Sequence, residues 1–371
     1  MNLSYWEIKS WFSNVDFTIV GSGIVGLNCA LALKEKYPEA TVLILEKGTL
    51  PQGASTKNAG FACFGSLSEI IDDLNSHSEE DVVDLVQKRY SGLNLLRKNL
   101  GDKTIDYQQN GGYELFLEKD NLWEECSVNK ERINKLLIPL FKSDVFSVCE
   151  NKFMFSNIRD KYIFNQFEGQ IDTGKMMLAL LQKVRSLGVK IINNCNIESY
   201  IENQDSVSIK TNIIEFNTSK LFIATNGFAN QLIQEKVKPA RAQVLITNPI
   251  KNLHIKGTFH LDKGYYYFRN IDNRILLGGA RNIDFITEET TEFGLTNTIQ
   301  NKLEEILRTT ILPDTTFKIE HRWSGIMGTG TQKKAIVKQL SNNVVCGVRL
   351  GGMGVAIGST IGNELAAIIN Q

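Results

Sequence analysis

The strongest constraint on the fold lies near the N-terminus. Phe17-Thr18-Ile19-Val20 is a short, apolar, β-favouring run, the pattern of a strand buried on both faces. Gly21-Ser22-Gly23-Ile24-Val25-Gly26 follows at once. A helical pattern then runs from Ile24 to Lys36, with Leu27, Ala30, Leu31 and Leu33 toward the sheet, and Pro38 stops it. Thr41-Val42-Leu43-Ile44-Leu45 reads as a second strand. Glu46 and Lys47 close it, the acid about 20 positions after Gly26, as in dinucleotide-binding βαβ units.

Each piece has a physical task. Gly21 permits the tight turn, Gly23 lets a pyrophosphate approach the backbone, and Gly26 lets helix and strand pack closely. The first N–H groups of the helix, at Ile24 and Val25, and the helix dipole attract phosphate. Glu46 is suited to accept hydrogen bonds from ribose hydroxyls, which favours a ribose without a 2′-phosphate. The unit predicts dinucleotide binding and does not by itself separate FAD from NAD.

The rest of the chain narrows the class. Its 371 residues suit two domains. Lys+Arg and Asp+Glu both number 41, so there is no basic excess of the kind a nucleic-acid binder carries. The cysteines at 29, 63, 126, 149, 195 and 346 form no C-x-x-C pair and read as free thiols. The histidines at 77, 254, 260 and 321 have no zinc-ligand spacing, so no metal site is expected. Phe17 to Leu33 is almost uncharged, but it is shorter than the ~20 residues of a membrane span. It also contains three glycines and lacks a basic leader. We therefore expect no transmembrane segment and a cytoplasmic protein.

Gly53-Ala54-Ser55-Thr56-Lys57-Asn58-Ala59-Gly60-Phe61-Ala62 is rich in small residues, so its backbone can approach a ligand. This stretch resembles the G-A-S-x-x-N-(A/G)-G element of the D-amino-acid oxidase superfamily of flavoproteins. The resemblance continues in order through Gln170-Ile171-Asp172 with its following helix (Lys175 to Leu187) and strand (Gly188 to Ile191). Next come Leu221-Phe222-Ile223-Ala224-Thr225-Asn226-Gly227 and Pro239-Ala240-Arg241-Ala242-Gln243-Val244, with Ala242 in place of the usual glycine. It then takes in Gly264-Tyr265-Tyr266-Tyr267-Phe268-Arg269 with Leu277-Gly278-Gly279, and Arg322-Trp323-Ser324-Gly325. It closes on Gly351-Gly352-Met353-Gly354-Val355, Gly358 and a helix to Ile369. Within the superfamily the chain is most similar to the glycine oxidase and γ-glutamylputrescine oxidoreductase group, and the Ser4-Tyr5-Trp6 leader resembles the latter.

The resemblance implies an α/β fold: a Rossmann-like FAD-binding domain of the two-dinucleotide-binding type, with an inserted antiparallel-sheet α+β substrate domain. The expected FAD domain is discontinuous, at 1–92, 166–236 and 321–371, with 93–165 and 237–320 forming the substrate domain. Residues 240–280 alternate as antiparallel strands do, Gly111 to Leu117 reads as a strand, and Glu118 to Leu140 as mostly helical. The acidic stretch Ser68 to Leu100 reads as helical with a solvated face. The implied cofactor is non-covalent FAD. It would be held by the first glycine turn with Glu46 and Lys47, by Ala54, Ser55, Asn58, Ala59 and Gly60, by Ala224, Thr225 and Gly227, and by Gly351 to Val355. The last turn would present free N–H groups to the flavin ring.

The implied reaction removes a hydride from a C–H beside an amine nitrogen of a small amine or amino acid, with O2 or another carrier as electron acceptor. Tyr265 and Tyr267 are the candidate substrate-contacting residues. The chain departs from the family where glycine-oxidase-like members clamp a substrate carboxylate with arginine: those positions hold Met327 and Gly352. Arg349 and Arg281 are the candidate replacements. No cysteine lies between 196 and 345 to attach the flavin, and the lysine that promotes oxygen reduction in sarcosine-oxidase-like members is missing from Ile275-Leu276-Leu277-Gly278. The remaining readings are an amino-acid or 2-hydroxy-acid oxidoreductase, a non-catalytic FAD-binding assembly protein, and a tRNA-modifying flavoenzyme domain.

Overall fold

A computed structural model describes residues 2–119 and 121–368. Two eight-stranded sheets organise it. In the first, Val15–Val20 is central and pairs in parallel with Val42–Leu45 on one side and Glu215–Ile223 on the other. Lys190–Ile192 and Val344–Val348 extend the parallel core outward. Ile336–Gln339 adds an antiparallel edge, and Ile197–Glu202 with Val207–Thr211 forms a meander beside Glu215–Ile223.

The helix Ile24–Lys36 has the bounds its pattern predicts. It packs on the sheet with Thr173–Ser186, Glu79–Leu100 and Gly354–Ala367, burying Leu27, Leu96, Met176, Phe222, Ile357 and Leu365 in one core. The C-terminal helix approaches so closely that a β-carbon on Gly358 would stand 2.4 Å from Ile24 Cγ2. Ile369, the expected end of that helix, lies outside the described residues.

The second sheet runs in the order Ile319–Thr329, Lys238–Thr247, Arg274–Gly279, Tyr266–Ile271, Thr258–Leu261, Gly112–Leu115, Lys161–Asn165, Phe146–Glu150. All neighbours are antiparallel except Thr258–Leu261 and Gly112–Leu115. Ile319–Thr329 pairs with Lys238–Thr247 along its length, so this strand belongs to the second sheet although it falls largely in the segment beginning at 321. The helical expectation over Glu118 to Leu140 corresponds to Leu122–Phe141.

The acidic stretch forms two helices, Leu67–Leu74 and Glu79–Leu100. Its face is less solvated than the charge pattern predicts. Asp73 is buried and pairs with Lys333 at 2.5 Å, and Asp72 pairs with Lys263 at 2.9 Å. These pairs fasten the first helix to segments that line the cleft described next.

Candidate active site

A cleft of about 910 Å³ opens where the parallel strands end. Val20, Leu45, Ala224 and Leu350, at or just beyond the carboxyl ends of four strands, all line it. This crevice is where open parallel sheets bind ligands, because helix N-termini and strand-end turns converge there. The same cleft is lined by Gly21, Gly23, Ile24 and Val25 at one end of the chain and by Gly351, Gly352, Met353, Gly354 and Val355 at the other.

The first turn is tightly determined. Gly21 has φ +101°, and a β-carbon there would stand 2.9 Å from the Ala224 carbonyl. Gly26 does not line the cleft: it packs beneath the turn, where a β-carbon would lie 2.0 Å from the Gly21 carbonyl. Glu46 is buried at the cleft wall, accepting from Ser22 N at 3.0 Å, Ser22 Oγ at 2.6 Å and Gly48 N at 3.0 Å. It braces both flanking turns, and Lys47 lies beside it in the lining.

Ala54, Ser55, Asn58, Ala59 and Gly60 also line the cleft. Ser55 Oγ accepts from Ile24 N at 2.9 Å, tying this loop to the start of the first helix. Asn58 holds the loop from within, donating to Ser55 O at 2.8 Å and accepting from Gly60 N at 2.8 Å. Two residues of the second sheet secure the loop from outside. Trp323 Nε1 donates to Lys57 O at 3.0 Å, and the buried Arg269 guanidinium donates to Ala59 O and to Ile171 O. Thr225 lines the cleft, whereas Gly227 packs against the Met327 carbonyl. Asn226 Oδ1 accepts from Leu350 N at 3.2 Å and so joins the strand end to the C-terminal turn. Gly351 and Gly352 adopt φ +60° and +84°, a left-handed pair that leaves the turn bare of side chains.

The far part of the cleft is built on one row across the second sheet. Glu114, His260, Tyr267, Gly278, Val244 and Trp323 are successive cross-strand partners. A β-carbon on Gly278 would stand 2.6 Å from Tyr267 Cε2, so the glycine makes the space in which the tyrosine ring lies. Burial pushes the Tyr267 hydroxyl up to about 12, so it is a neutral donor at pH 7. Tyr265 precedes the strand rather than lying on it and is 37% exposed at the cleft. Met327 is half-buried in the lining.

Histidine spacing alone does not reveal His260. The side chain is buried in the cleft wall, edge-on to Phe61 at 5.2 Å, with Nε2 2.5 Å from Glu168 Oε1. Glu168 also accepts from Thr258 Oγ1 at 2.8 Å. Burial opposes the imidazolium, but Glu168, Glu69 and Glu114 outweigh it and raise the pKa to about 9. The two candidate arginines separate. Arg349 is spent on the Lys334 and Lys236 carbonyls, whereas Arg281 lines the cleft. Cys63 also reaches the lining, and burial holds its thiol well above the usual range, against thiolate chemistry.

Comparison with known proteins agrees with this geometry. The family model for FAD dependent oxidoreductases matches residues 16–368. The chain belongs to this family. A curated relative, the probable oxidoreductase OrdL of Haemophilus influenzae, is 20% identical, with 96% of this chain and 83% of the relative covered. Among solved structures, L-proline dehydrogenase from P. horikoshii matches with a TM-score of 0.75 at 17% identity, covering 96% of this chain and 93% of its own. Glycine oxidase from Geobacillus kaustophilus matches with a TM-score of 0.75 at 16% identity, covering 96% and 94%.

The cleft of this FAD-dependent oxidoreductase suits its cofactor. The glycine turn at 21–23 would hold a pyrophosphate, Glu46 would meet a ribose, and the bare turn at 351–352 would admit a planar ring against backbone. Leu276 with Ala59 and Val244 forms an apolar patch beside Tyr267 and Trp323. Among the described residues no helix is long and apolar enough to cross a membrane, and no cluster of His, Cys, Asp and Glu is arranged to hold a metal.

Proposed function

We propose that the chain oxidises the carbon–nitrogen single bond of a small amine or amino acid, held between Tyr265, Tyr267 and Met327. Bound FAD, held non-covalently, supplies the acceptor for the hydride leaving the C–H beside nitrogen, and the organic product is an imine. One observation carries this reading: a single cleft runs from the nucleotide-type glycine turn, past the bare turn at 351–352, to a wall containing two tyrosines and His260. The solved relatives named for proline dehydrogenation and glycine oxidation support the substrate class. Tyr267 donates a hydrogen bond toward the substrate, and the buried His260–Glu168 pair, which carries no net charge, braces the wall beside it.

We assign the FAD domain to 1–100, 166–236 and 330–371 and the substrate domain to 101–165 and 237–329: the helix Glu79–Leu100 buries Leu93 and Leu96 in the first core and the strand Ile319–Thr329 pairs in the second sheet, which moves the boundaries expected at 92 and 321. The electron acceptor is O2 or another carrier. The six free cysteines are in keeping with action in the cytoplasm. The test is anaerobic mixing of the FAD-loaded protein with amines, amino acids and 2-hydroxy acids. Bleaching by an amine or amino acid, with the imine or its hydrolysis product formed, supports the proposal. Bleaching by hydroxy acids alone contradicts it.

A further inference from the structure

We propose that Phe228 and Phe293 form a gate across the cofactor end of the cleft, anchored by the buried Glu288, so that FAD enters and leaves only when the two rings part. This rests on reading the cleft as the FAD site. Phe228 lies in the 3₁₀ turn Asn226–Gln231, just after the strand Glu215–Ile223 of the first sheet. Phe293 lies in the connection between the 3₁₀ turn Arg281–Ile283 and the helix Asn297–Ile306, which packs on the second sheet. The rings thus come from the two sheets, meet with centroids 6.1 Å apart, and both line the cleft. Ala224, whose carbonyl lies against Gly21, shortly precedes Phe228 in the chain, which puts the pair at the nucleotide end.

The connection over 284–296 forms turns but neither helix nor strand, and side chains hold it. Glu288 is fully buried and accepts from Arg241 Nε at 2.9 Å, Arg241 Nη2 at 2.8 Å and Gln243 Nε2 at 2.9 Å. Arg241 N also donates to the Glu288 carbonyl at 2.8 Å. Beyond Phe293, Gly294 N donates to Ser324 Oγ at 3.0 Å and Thr296 N to Gln243 Oε1 at 3.1 Å. Breaking a buried ion pair on one side is strongly destabilising, so these anchors are firm. The Phe293 ring has no such fastening. It is 42% exposed, and among the described residues its one ring contact is Phe228. A firm frame therefore carries a weakly held ring over the cleft, with Thr291 and Glu292 in the lining beside it.

The test is stopped-flow mixing of the FAD-free chain with FAD, followed by flavin fluorescence, together with release of FAD from the loaded protein. Phe228→Ala and Phe293→Ala should each speed both association and release about fivefold, the factor by which an aromatic pair shifts opening. The double variant should be no faster than either single one, because one substitution already removes the pair. Glu288→Gln loosens the anchor. It should also speed both rates and let a glutamate-specific protease cut at Glu289 or Glu292. Phe293 is exposed, so its alanine variant tests the gate even where Glu288→Gln fails to fold. Faster release with unchanged association in both phenylalanine variants would make the rings ordinary cofactor contacts and overturn the gate. Wild-type rates in both would overturn it too. A folded wild-type chain that takes up no FAD would instead overturn the reading of the cleft, and the gate with it.

Discussion

The Met327 sulfur lies against Gly352: a β-carbon built on the glycine would stand 3.4 Å from Sδ. The two positions at which glycine-oxidase-like proteins carry arginine therefore meet in one part of the cleft, and here neither brings a charge. Met327→Arg is predicted to place a guanidinium beside the bare turn and to favour α-amino acids over the corresponding uncharged amines by about tenfold, roughly 1.4 kcal/mol. Ratios of kcat/KM for matched pairs measure this. An unchanged ratio would show that position 327 does not face the substrate.

Gly352 and Gly21 differ in what a side chain would do. At Gly21, alanine meets both a φ of +101° and the Ala224 carbonyl 2.9 Å away. Backbone strain alone costs about 1–3 kcal/mol. Gly21→Ala is expected to lose most bound FAD and to melt earlier. The flavin-to-protein absorbance ratio and a thermal melt report both.

Trp323→Phe removes the N–H that holds the Lys57 carbonyl at 3.0 Å while keeping an aromatic ring against Leu276. A neutral hydrogen bond of this kind contributes about 1 kcal/mol. We expect FAD to dissociate roughly fivefold more readily, read by fluorescence as flavin is released. Affinity equal to that of wild type would mean the loop over 54–60 is held without the tryptophan.

His260 gives the protein a definite pH signature. Its folded pKa, about 9, lies above the ~6.5 of an unfolded histidine. The native state therefore binds the extra proton between these values. The contribution of the pair is complete below about pH 6.5 and is lost as pH rises through about 9. The groups that set it are Glu168 in contact, with Glu69 and Glu114 nearby. Melting temperature should fall across this window, and His260→Gln should flatten the fall. A slope that persists in the variant would assign it to other groups.

Local pattern accounts for what could be read early. The strand, glycine turn and helix over 17–36 are contiguous, so periodicity and Gly21, Gly23 and Gly26 sufficed. The last turn was legible for the same reason. Contacts made by the fold were not. Glu168 and His260 meet from strands or turns far apart in the chain, and no spacing rule connects them. Arg269 is unremarkable as a strand residue until it is seen to hold Ala59 and Ile171. The choice between Arg281 and Arg349 depended on which carbonyls and acids happened to be near each guanidinium. Tyr265 resembles a strand residue by alternation with Tyr267, yet the turn before Tyr266 frees it to face the cleft.

The most direct measurement is a titration of the purified, FAD-free chain with FAD, followed by absorbance and by flavin fluorescence. The account predicts saturation at one FAD per chain, with Gly21→Ala and a bulky replacement at Gly352 each weakening the same binding event. A folded protein that takes up no FAD would contradict it. So would binding that is unaffected by change at either glycine turn.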